Sequence, residues 1–429
     1  MRRYEHLLTA IVSCLIMGFF AVTTFAQNTA SEKKINEKVL TLKEASGRTY
    51  DSPELKAAAK NVNIKEGLSE QASLLPNPDV AVEVENFGGE DELEDFDSAE
   101  TTVAVSQLIE LGGKRGARID IANHNKTLAK WDFQIKTQDL QLKTMKAFYA
   151  VLAAQKGLEQ EARLLTLAEQ GYQTVTDRVE AGKVSPVQKL RASVELNMAR
   201  NAYENSQREM IQVRQTLSSL WGDPKPDFDA VRGEFDVLQE PPPWEDLKAA
   251  FPNNPDVKRW ETELASKGAN LDMERANRIP DITLAFGVRN YQETNDNAFV
   301  AGLEFPLPLF DRNQGGQRAA QAEVSQAVYQ RDADVARLTS DLQSAYQELL
   351  SSHHQARTIK QEIMPVAEQA NEAAQIGYQE GKFDFLEALD AQRTLFEVKS
   401  QYVEAFSAYH EARLNVMRMT GRIDRFSTF

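Results

Sequence analysis

The histidines are the first place to look for chemistry in this sequence, and their spacing does not suit a metal site. His353 and His354 are adjacent, so on a helix their side chains point about 100° apart and do not chelate one ion, as residues four positions apart would. His124 and His410 stand alone. We therefore expect a surface position for the adjacent pair and no bound metal.

The segment Gly112-Gly113-Lys114-Arg115-Gly116 superficially resembles a phosphate-binding loop, but it lacks the spacing and the Ser or Thr of that motif. A turn from a strand into a helix is the better interpretation. No Ser/His/Asp set or carboxylate pair stands out, and the one cysteine, Cys14, lies in an apolar N-terminal run. We expect no catalysis and no cofactor.

A run of acidic residues lies between residues 86 and 99. Its members are Glu90, Asp91, Glu92, Glu94, Asp95 and Asp97. A solvated extracellular loop between two strands explains this composition better than a metal site does.

The N-terminus has the features of a secretory signal. Arg2 and Arg3 precede an apolar run over 7–20 and small residues that end at Ala26, so we expect a signal peptide over 1–26 with cleavage after Ala26. The segment 11–14 loosely resembles a lipoprotein cleavage site. The apolar run continues beyond it, which makes lipidation the less favoured alternative.

The formal charge of −15 becomes −16 without this leader, because the leader carries two arginines and one glutamate. Such a balance disfavours nucleic acid as a partner. Beyond the leader no stretch reaches the roughly 18 to 20 consecutive apolar residues of a membrane-spanning helix. If the mature chain crosses a membrane, it must do so as strands.

The order of local signals occurs twice, about 200 residues apart. Ser52-Pro53-Glu54 recurs as Asn254-Pro255-Asp256, and Ala181-Gly182-Lys183 recurs as Glu380-Gly381-Lys382. We predict an internal duplication, with repeat one over about 50–222 and repeat two over about 252–421.

Each repeat begins with a helix, over about 53–74 or 255–278, followed by two strands over about 79–109 or 281–307. Apolar and polar residues alternate in these strands, which gives each one apolar face. The first strand of repeat one carries Val80, Val82 and Val84 on that face. The last strand of repeat two is expected to reach Phe305 and beyond.

Each repeat then continues as a long helical hairpin, over about 115–220 or 316–419. Residues 115–180 contain no proline and carry two apolar lines at coiled-coil spacing, which predicts packing against two neighbours. Pro365 should kink the second long helix or loosen one of its turns. Gly182 and Gly381 are suited to the left-handed turns that end the helices, and Ser185–Gln188 and Asp384–Glu387 both fit a capping box.

Four strands are too few to enclose water, because a barrel of about eight strands is already filled by its own side chains. Three copies would supply twelve. We therefore predict an α+β membrane protein in which three chains share a 12-stranded β-barrel, apolar face outward, continued by a long helical barrel. Hairpins in a soluble sheet, or a periplasmic coiled-coil scaffold or adaptor without a pore, remain alternatives.

Several short motifs carry a resemblance to a known family. They are Leu40-Thr41-Leu42-Lys43-Glu44-Ala45, Leu75-Pro76-Asn77-Pro78, Glu85-Asn86-Phe87-Gly88-Gly89, Glu110-Leu111-Gly112-Gly113-Lys114-Arg115, Gly377-Tyr378 and Leu389-Asp390-Ala391-Gln392. Together they resemble the TolC family of outer-membrane efflux proteins, and most of all its CzcC heavy-metal branch. The similarity spans nearly the whole mature chain.

The resemblance implies a homotrimer in the outer membrane of a Gram-negative bacterium, with a large periplasmic part. Its partners would be two further copies of itself, outer-membrane lipid, a periplasmic adaptor (membrane fusion protein) and a proton-driven inner-membrane pump of the RND type. The chain would then be the passive exit duct for heavy-metal cations or other small molecules. A duct for drug efflux or type I protein secretion is the nearest alternative.

The resemblance also implies roles for residues at the two helix reversals. Tyr378, Glu387 and Asp390 match a periplasmic gate and its cation-attracting rings; the reversal residues implied in adaptor docking are Gly182, Lys183, Ser185, Gly381, Lys382 and Asp384. A gate-bonding arginine of the family's best-known member falls on Phe383, and an aspartate after its first reversal falls on Gln188, so the resemblance does not by itself imply that member's latching bonds here. On the residues alone, Glu387 is as well explained as a helix cap, Asp390 as solvated, and Tyr378 as packed between helices.

Overall fold

The computed structural model describes residues 38–423. The predicted signal peptide and Cys14 lie outside the described residues. The strands are β1 (Val39–Thr41), β2 (Asp79–Glu85), β3 (Glu100–Ile109), β4 (Ala230–Arg232), β5 (Ile282–Tyr291) and β6 (Asp296–Glu304). The helices are α1 (Leu42–Arg48), α2 (Pro53–Ser73), α3 (Lys114–Glu180), α4 (Pro186–Ser219), α5 (Trp244–Ala250), α6 (Pro255–Ala276), α7 (Gln314–Thr358), α8 (Met364–Gln379) and α9 (Phe385–Met419).

Helix α3 is the longest element, with 67 residues and hence a length of about 100 Å. It packs against α2, α4, α6 and α9, which is more neighbours than its two apolar lines predicted. The helix therefore joins the two halves of the chain, because α6 and α9 belong to the second half.

The second long helix is interrupted where Pro365 predicts. Residues Ile359–Ile363 form one π-helical turn between α7 and α8, directly before the proline. Proline has no amide hydrogen and its ring clashes with the carbonyl four residues earlier, so a wider turn relieves the conflict without ending the helix. The predicted loosening of one turn is confirmed.

Strands β2, β3, β5 and β6 form one antiparallel sheet in that order. The register aligns Val80 with Val105 and Val105 with Phe286, so these side chains share one face. Phe286 is 65% exposed and Phe299, on the same face, is 93% exposed. The sheet thus presents an apolar face that nothing in the described chain covers.

The last strand is shorter than the alternating pattern suggested. Strand β6 ends at Glu304, and Phe305 lies in the loop that follows. Pro306 and Pro308 cannot donate the backbone hydrogen bonds that would extend the pairing with β5. Helix α7 then begins at Gln314 after Asn313, whose φ of 55° is left-handed.

A compact core surrounds the middle of α3, and we call its central residues Phe148, Phe406, Tyr409 and His410 the belt core. Their side chains are at most 2% exposed. Strands β1 and β4 pair in parallel beside them, with Leu40 opposite Val231. Sequence periodicity does not reveal this small sheet, because three-residue strands are too short to show alternation.

Candidate functional site

The two helix reversals have the same backbone. Gly182 and Gly381 have φ values of 70° and 76°, as predicted for left-handed turns. In the first turn the Lys183 amide donates to the Arg178 carbonyl at 2.9 Å, and in the second the Lys382 amide donates to the Gly377 carbonyl at 2.8 Å. This hydrogen bond closes a helix end while the chain turns back, so each long helix continues directly into its return arm.

The helices that follow the turns are capped differently. At the second turn the Glu387 amide donates to Asp384 Oδ1 at 2.9 Å and the Asp384 amide donates to Glu387 Oε2 at 3.0 Å, which is the predicted capping box. At the first turn the Val187 amide donates to Ser185 Oγ at 3.4 Å. The box predicted for Ser185–Gln188 is therefore wrong, because Ser185 caps the second helical residue instead.

Tyr378 links the two reversals. The guanidinium carbon of Arg178, in the last turn of α3, lies 4.4 Å from the centroid of the Tyr378 ring in α8. A cation over an aromatic face is attracted by the ring quadrupole. The contact therefore ties the end of the first long helix to the end of the second, and sequence spacing gave no sign of Arg178.

The other residues predicted to act at the two helix reversals lie at the surface. Lys183 and Asp390 are exposed, and Lys382 pairs with Glu380 at 2.6 Å. The ring of Phe383 lies against the backbone of Gly377, where a side chain larger than hydrogen would collide with it. The second reversal is thus stabilised by the contact of Phe383 with Gly377 and by the contact of Arg178 with the Tyr378 ring.

His410 is an unforeseen feature of the belt core. Its ring stacks on Tyr149 with centroids 4.1 Å apart, and its Nε2 lies 2.8 Å from the Phe235 carbonyl, to which the neutral ring donates. Burial lowers the pKa of His410 to about 4. The side chain is therefore an uncharged structural group at neutral pH.

His353 is also buried, at 7% exposure, and its ring lies 5.8 Å from that of Tyr409. The predicted surface position is correct for His354 and wrong for His353, because α7 turns His353 toward α9. Between residues 38 and 423 no three His, Cys, Asp or Glu side chains converge as a metal site would require.

Arg418 fastens the end of α9 to both halves of the chain. It is 8% exposed, and it donates from Nε to Asp139 and from Nη1 to Asp256, each at 2.7 Å. The guanidinium has lost much of its hydration, and these two carboxylates replace the hydrogen bonds that water would make. Its partners are 279 and 162 residues away, which is why the sequence alone did not indicate them.

None of the helices in the described range combines the length and the apolar character needed to cross a lipid bilayer.

The family model described as "Outer membrane efflux protein" matches residues 50–223 and 247–422. The chain is 35% identical to the cobalt-zinc-cadmium resistance protein CzcC of Cupriavidus metallidurans over 369 residues, covering 86% of each chain. It is 28% identical to the nickel and cobalt resistance protein CnrC of the same organism, covering 66% of each chain.

Among solved structures, the outer-membrane channel OprN superposes with a TM-score of 0.76 at 18% identity, covering 89% of each chain. The predicted fold of the protomer and the outer-membrane location agree with these similarities, and the resemblance found from the motifs is confirmed. The chain therefore belongs to the outer membrane efflux protein family.

Proposed function

We propose that three copies of this chain close into one outer-membrane channel that serves as the passive exit duct of a tripartite, RND-type heavy-metal efflux system. The observation that carries the proposal is the four-stranded sheet with one apolar, exposed face. Within one protomer, the outer strands of this sheet lack hydrogen-bond partners on one side, and its apolar side chains stay exposed.

The edges support closure by further copies. Among the described residues β2 pairs with β3 alone and β6 with β5 alone, so each outer strand has one row of unpaired backbone groups. A lipid bilayer offers these groups no hydrogen bonds, so an open edge is excluded there. Pairing β6 of one copy with β2 of the next removes every edge, and three copies give twelve strands.

An uncovered line of apolar residues on α4 supports the same assembly. Val187, Leu190, Val194 and Met198 recur at three- and four-residue spacing, and each is more than half exposed. A helix with a solvated outer face would be polar at these positions. We infer that a neighbouring protomer covers this line in the helical barrel.

The tips are the proposed periplasmic mouth. Tyr378, Glu387 and Asp390 would recur three times around the axis, and repeated carboxylates would attract cations. Glu387 also serves its capping box, and the two roles are compatible. The reversals around Gly182, Lys183, Ser185, Gly381, Lys382 and Asp384 would receive the adaptor.

The proposal includes an internal duplication of the chain. Each half contributes one helix, two strands and one long helical hairpin in the same order, and the family model matches twice. One ancestral unit used twice would supply both hairpins of the sheet and both reversals of the mouth.

Heavy-metal cations are the proposed cargo because the relative that is 35% identical over most of both chains is named for cobalt, zinc and cadmium resistance. The test is growth of a deletion strain across cobalt, zinc, cadmium and nickel salts and a panel of drugs. We expect sensitivity to the metals, restored by the wild-type gene. Sensitivity to drugs alone, or no change, would contradict the metal assignment.

A further inference from the structure

Arg289 is the centre of a polar cluster on the face of the sheet opposite the apolar one. From β5 it donates to Glu100 Oε2 at 2.7 Å, to Glu85 Oε2 at 2.9 Å and to Thr102 Oγ1 at 2.9 Å. These partners lie on β2 and β3. One guanidinium therefore joins three strands from both halves of the chain.

The register shows which side chains share this face. Arg289 is opposite Thr102, and the next pair on the same face in one direction is Gly287 with Ala104. In that direction the wall is built mainly from small residues, including Ala81, Ala104, Ala285, Gly287 and Gly302, with Val300 and Asp79 in the same rows. In the proposed barrel this face lines the water-filled lumen, and Arg289 lies in the section where most of its charged side chains are grouped.

The charge of this section depends on Arg289. Glu85 and Glu100 lie directly opposite each other on neighbouring strands, an arrangement that like charges disfavour. Glu83 and Asp296 lie on the same face nearby, so four carboxylates accompany one guanidinium in each protomer. Without Arg289, the two facing carboxylates would have no cation between them.

We propose that Arg289 determines the ion selectivity of the outer section of this channel, by offsetting one of the two negative charges of the facing Glu85 and Glu100 so that exported cations pass the section and are not retained there. The inference rests on the proposed function, because it requires the sheet face to line a pore. Threefold repetition would place three such clusters around the same path, where the electric field from the wall acts on every passing ion.

A purely structural role for the cluster makes a different prediction. An ion pair that only fixes the register of β2, β3 and β5 would change the stability of the assembly on removal, while the preference of the open pore for cations would stay the same. The reversal potential under a salt gradient measures that preference directly, so it separates the two roles.

The experiment uses the full-length trimer in planar lipid bilayers under a potassium chloride gradient. For R289Q we expect the potassium-to-chloride permeability ratio to rise about tenfold. Zinc ions added on the side of the 86–99 loop should block the variant at about tenfold lower concentration than the wild type. R289K keeps the charge, so its permeability ratio should stay near that of the wild type. The same is expected of R275Q, because Arg275 forms an exposed ion pair with Asp272 within α6.

Two further variants keep the test decisive if R289Q does not assemble. E85Q/E100Q leaves Arg289 without its carboxylates and should shift the reversal potential toward anions. E85Q/E100Q/R289Q removes all three charges and should give a reversal potential between those of the wild type and E85Q/E100Q. If the wild type forms pores and every variant has the same reversal potential as the wild type, the role of Arg289 is overturned. If the wild type forms no pore, the proposed channel itself is overturned.

Discussion

The belt core and the four-stranded sheet place their apolar side chains in opposite environments. In the belt core Phe148, Phe406 and Tyr409 are fully enclosed by α3, α9 and the loop before α5. On the sheet, Phe286 and Phe299 are mostly exposed. Both regions use large apolar residues, but only the first buries them within one chain.

The difference shows which part of the fold one chain specifies by itself. Burial of apolar surface, at about 25 cal/mol per Å², is available to the belt core as soon as the chain folds. In the proposed channel, the sheet gains its burial only from lipid and from neighbouring copies. Substitutions in the belt core should therefore alter the stability of the protomer, and substitutions on the sheet should alter assembly and insertion.

The largest effect is expected on the apolar face of the sheet. Val105→Lys places a charge in the middle of β3, where a lysine facing lipid costs about 2–4 kcal/mol, and every copy carries it. We expect loss of the membrane-extracted trimer while the helical content of the soluble fraction persists. Gel analysis of outer-membrane extracts and circular dichroism measure the two quantities.

Ser106→Lys is the matched control, because Ser106 is the next residue on β3 and points to the opposite face. It should assemble as the wild type does. Loss of assembly in S106K with normal insertion of V105K would reverse the assigned faces.

The next effect is expected where the two halves are joined. Arg418→Ala removes two charge-assisted hydrogen bonds to the partly exposed Asp139 and Asp256, which costs about 2–3 kcal/mol. Chemical unfolding followed by circular dichroism should show the loss. Arg275→Ala, which removes an exposed pair, should change the free energy of unfolding by about 1 kcal/mol at most. Equal effects of the two variants would contradict the role assigned to Arg418.

The buried histidine gives the belt core a pH dependence. The pKa of His410 is about 4 in the folded chain and 6.5 without burial, so the unfolded chain binds the extra proton between these values. The free energy of unfolding should therefore fall as the pH drops from about 6.5 to 4, by on the order of 3 kcal/mol from this group. Above pH 6.5 the group contributes no pH dependence.

His410→Phe keeps a ring against Tyr149 and removes the titration. Its unfolding free energy, measured at pH 7, 5.5 and 4, should decline less steeply than that of the wild type. His354→Phe changes an exposed histidine and should keep the wild-type slope. An unchanged slope in H410F would show that other groups produce the pH dependence.

Local signals predicted the long helices and the four strands of the large sheet. Alternation identified the strands, the absence of proline identified α3, and Gly182 and Gly381 identified the reversals, because each signal acts within a few residues. Pro365 even indicated where the π-turn lies. The Asp384–Glu387 box was predictable for the same reason, since its two residues are three positions apart.

Long-range contacts were not predictable from these patterns. The pairing of Val39–Thr41 with Ala230–Arg232, the partners of Arg418 and the stacking of His410 on Tyr149 all join residues more than 150 positions apart. The contact between Arg178 and Tyr378 was not predicted for the same reason. An adjacent histidine pair suggested a surface position, but the orientation of α7 decides which of the two is buried.

The smallest expected effect is the loss of the helix cap that follows each reversal, and it should differ between the two reversals. Asp384→Ala removes one side of a capping box and should cost about 1 kcal/mol of local stability. Ser185→Ala removes a longer hydrogen bond and should cost less. Hydrogen exchange at the amides of Glu387 and Val187 measures both. Equal acceleration at the two amides would contradict the difference in their caps.

The mass of the intact assembly extracted from the outer membrane in mild detergent tests most directly whether the sheet is completed by other copies. Native mass spectrometry should give three chains and no stable single chain, because one protomer leaves two sheet edges and an apolar face unsatisfied. A stable monomer, soluble without detergent, would show that the sheet is complete in one chain and would contradict the channel.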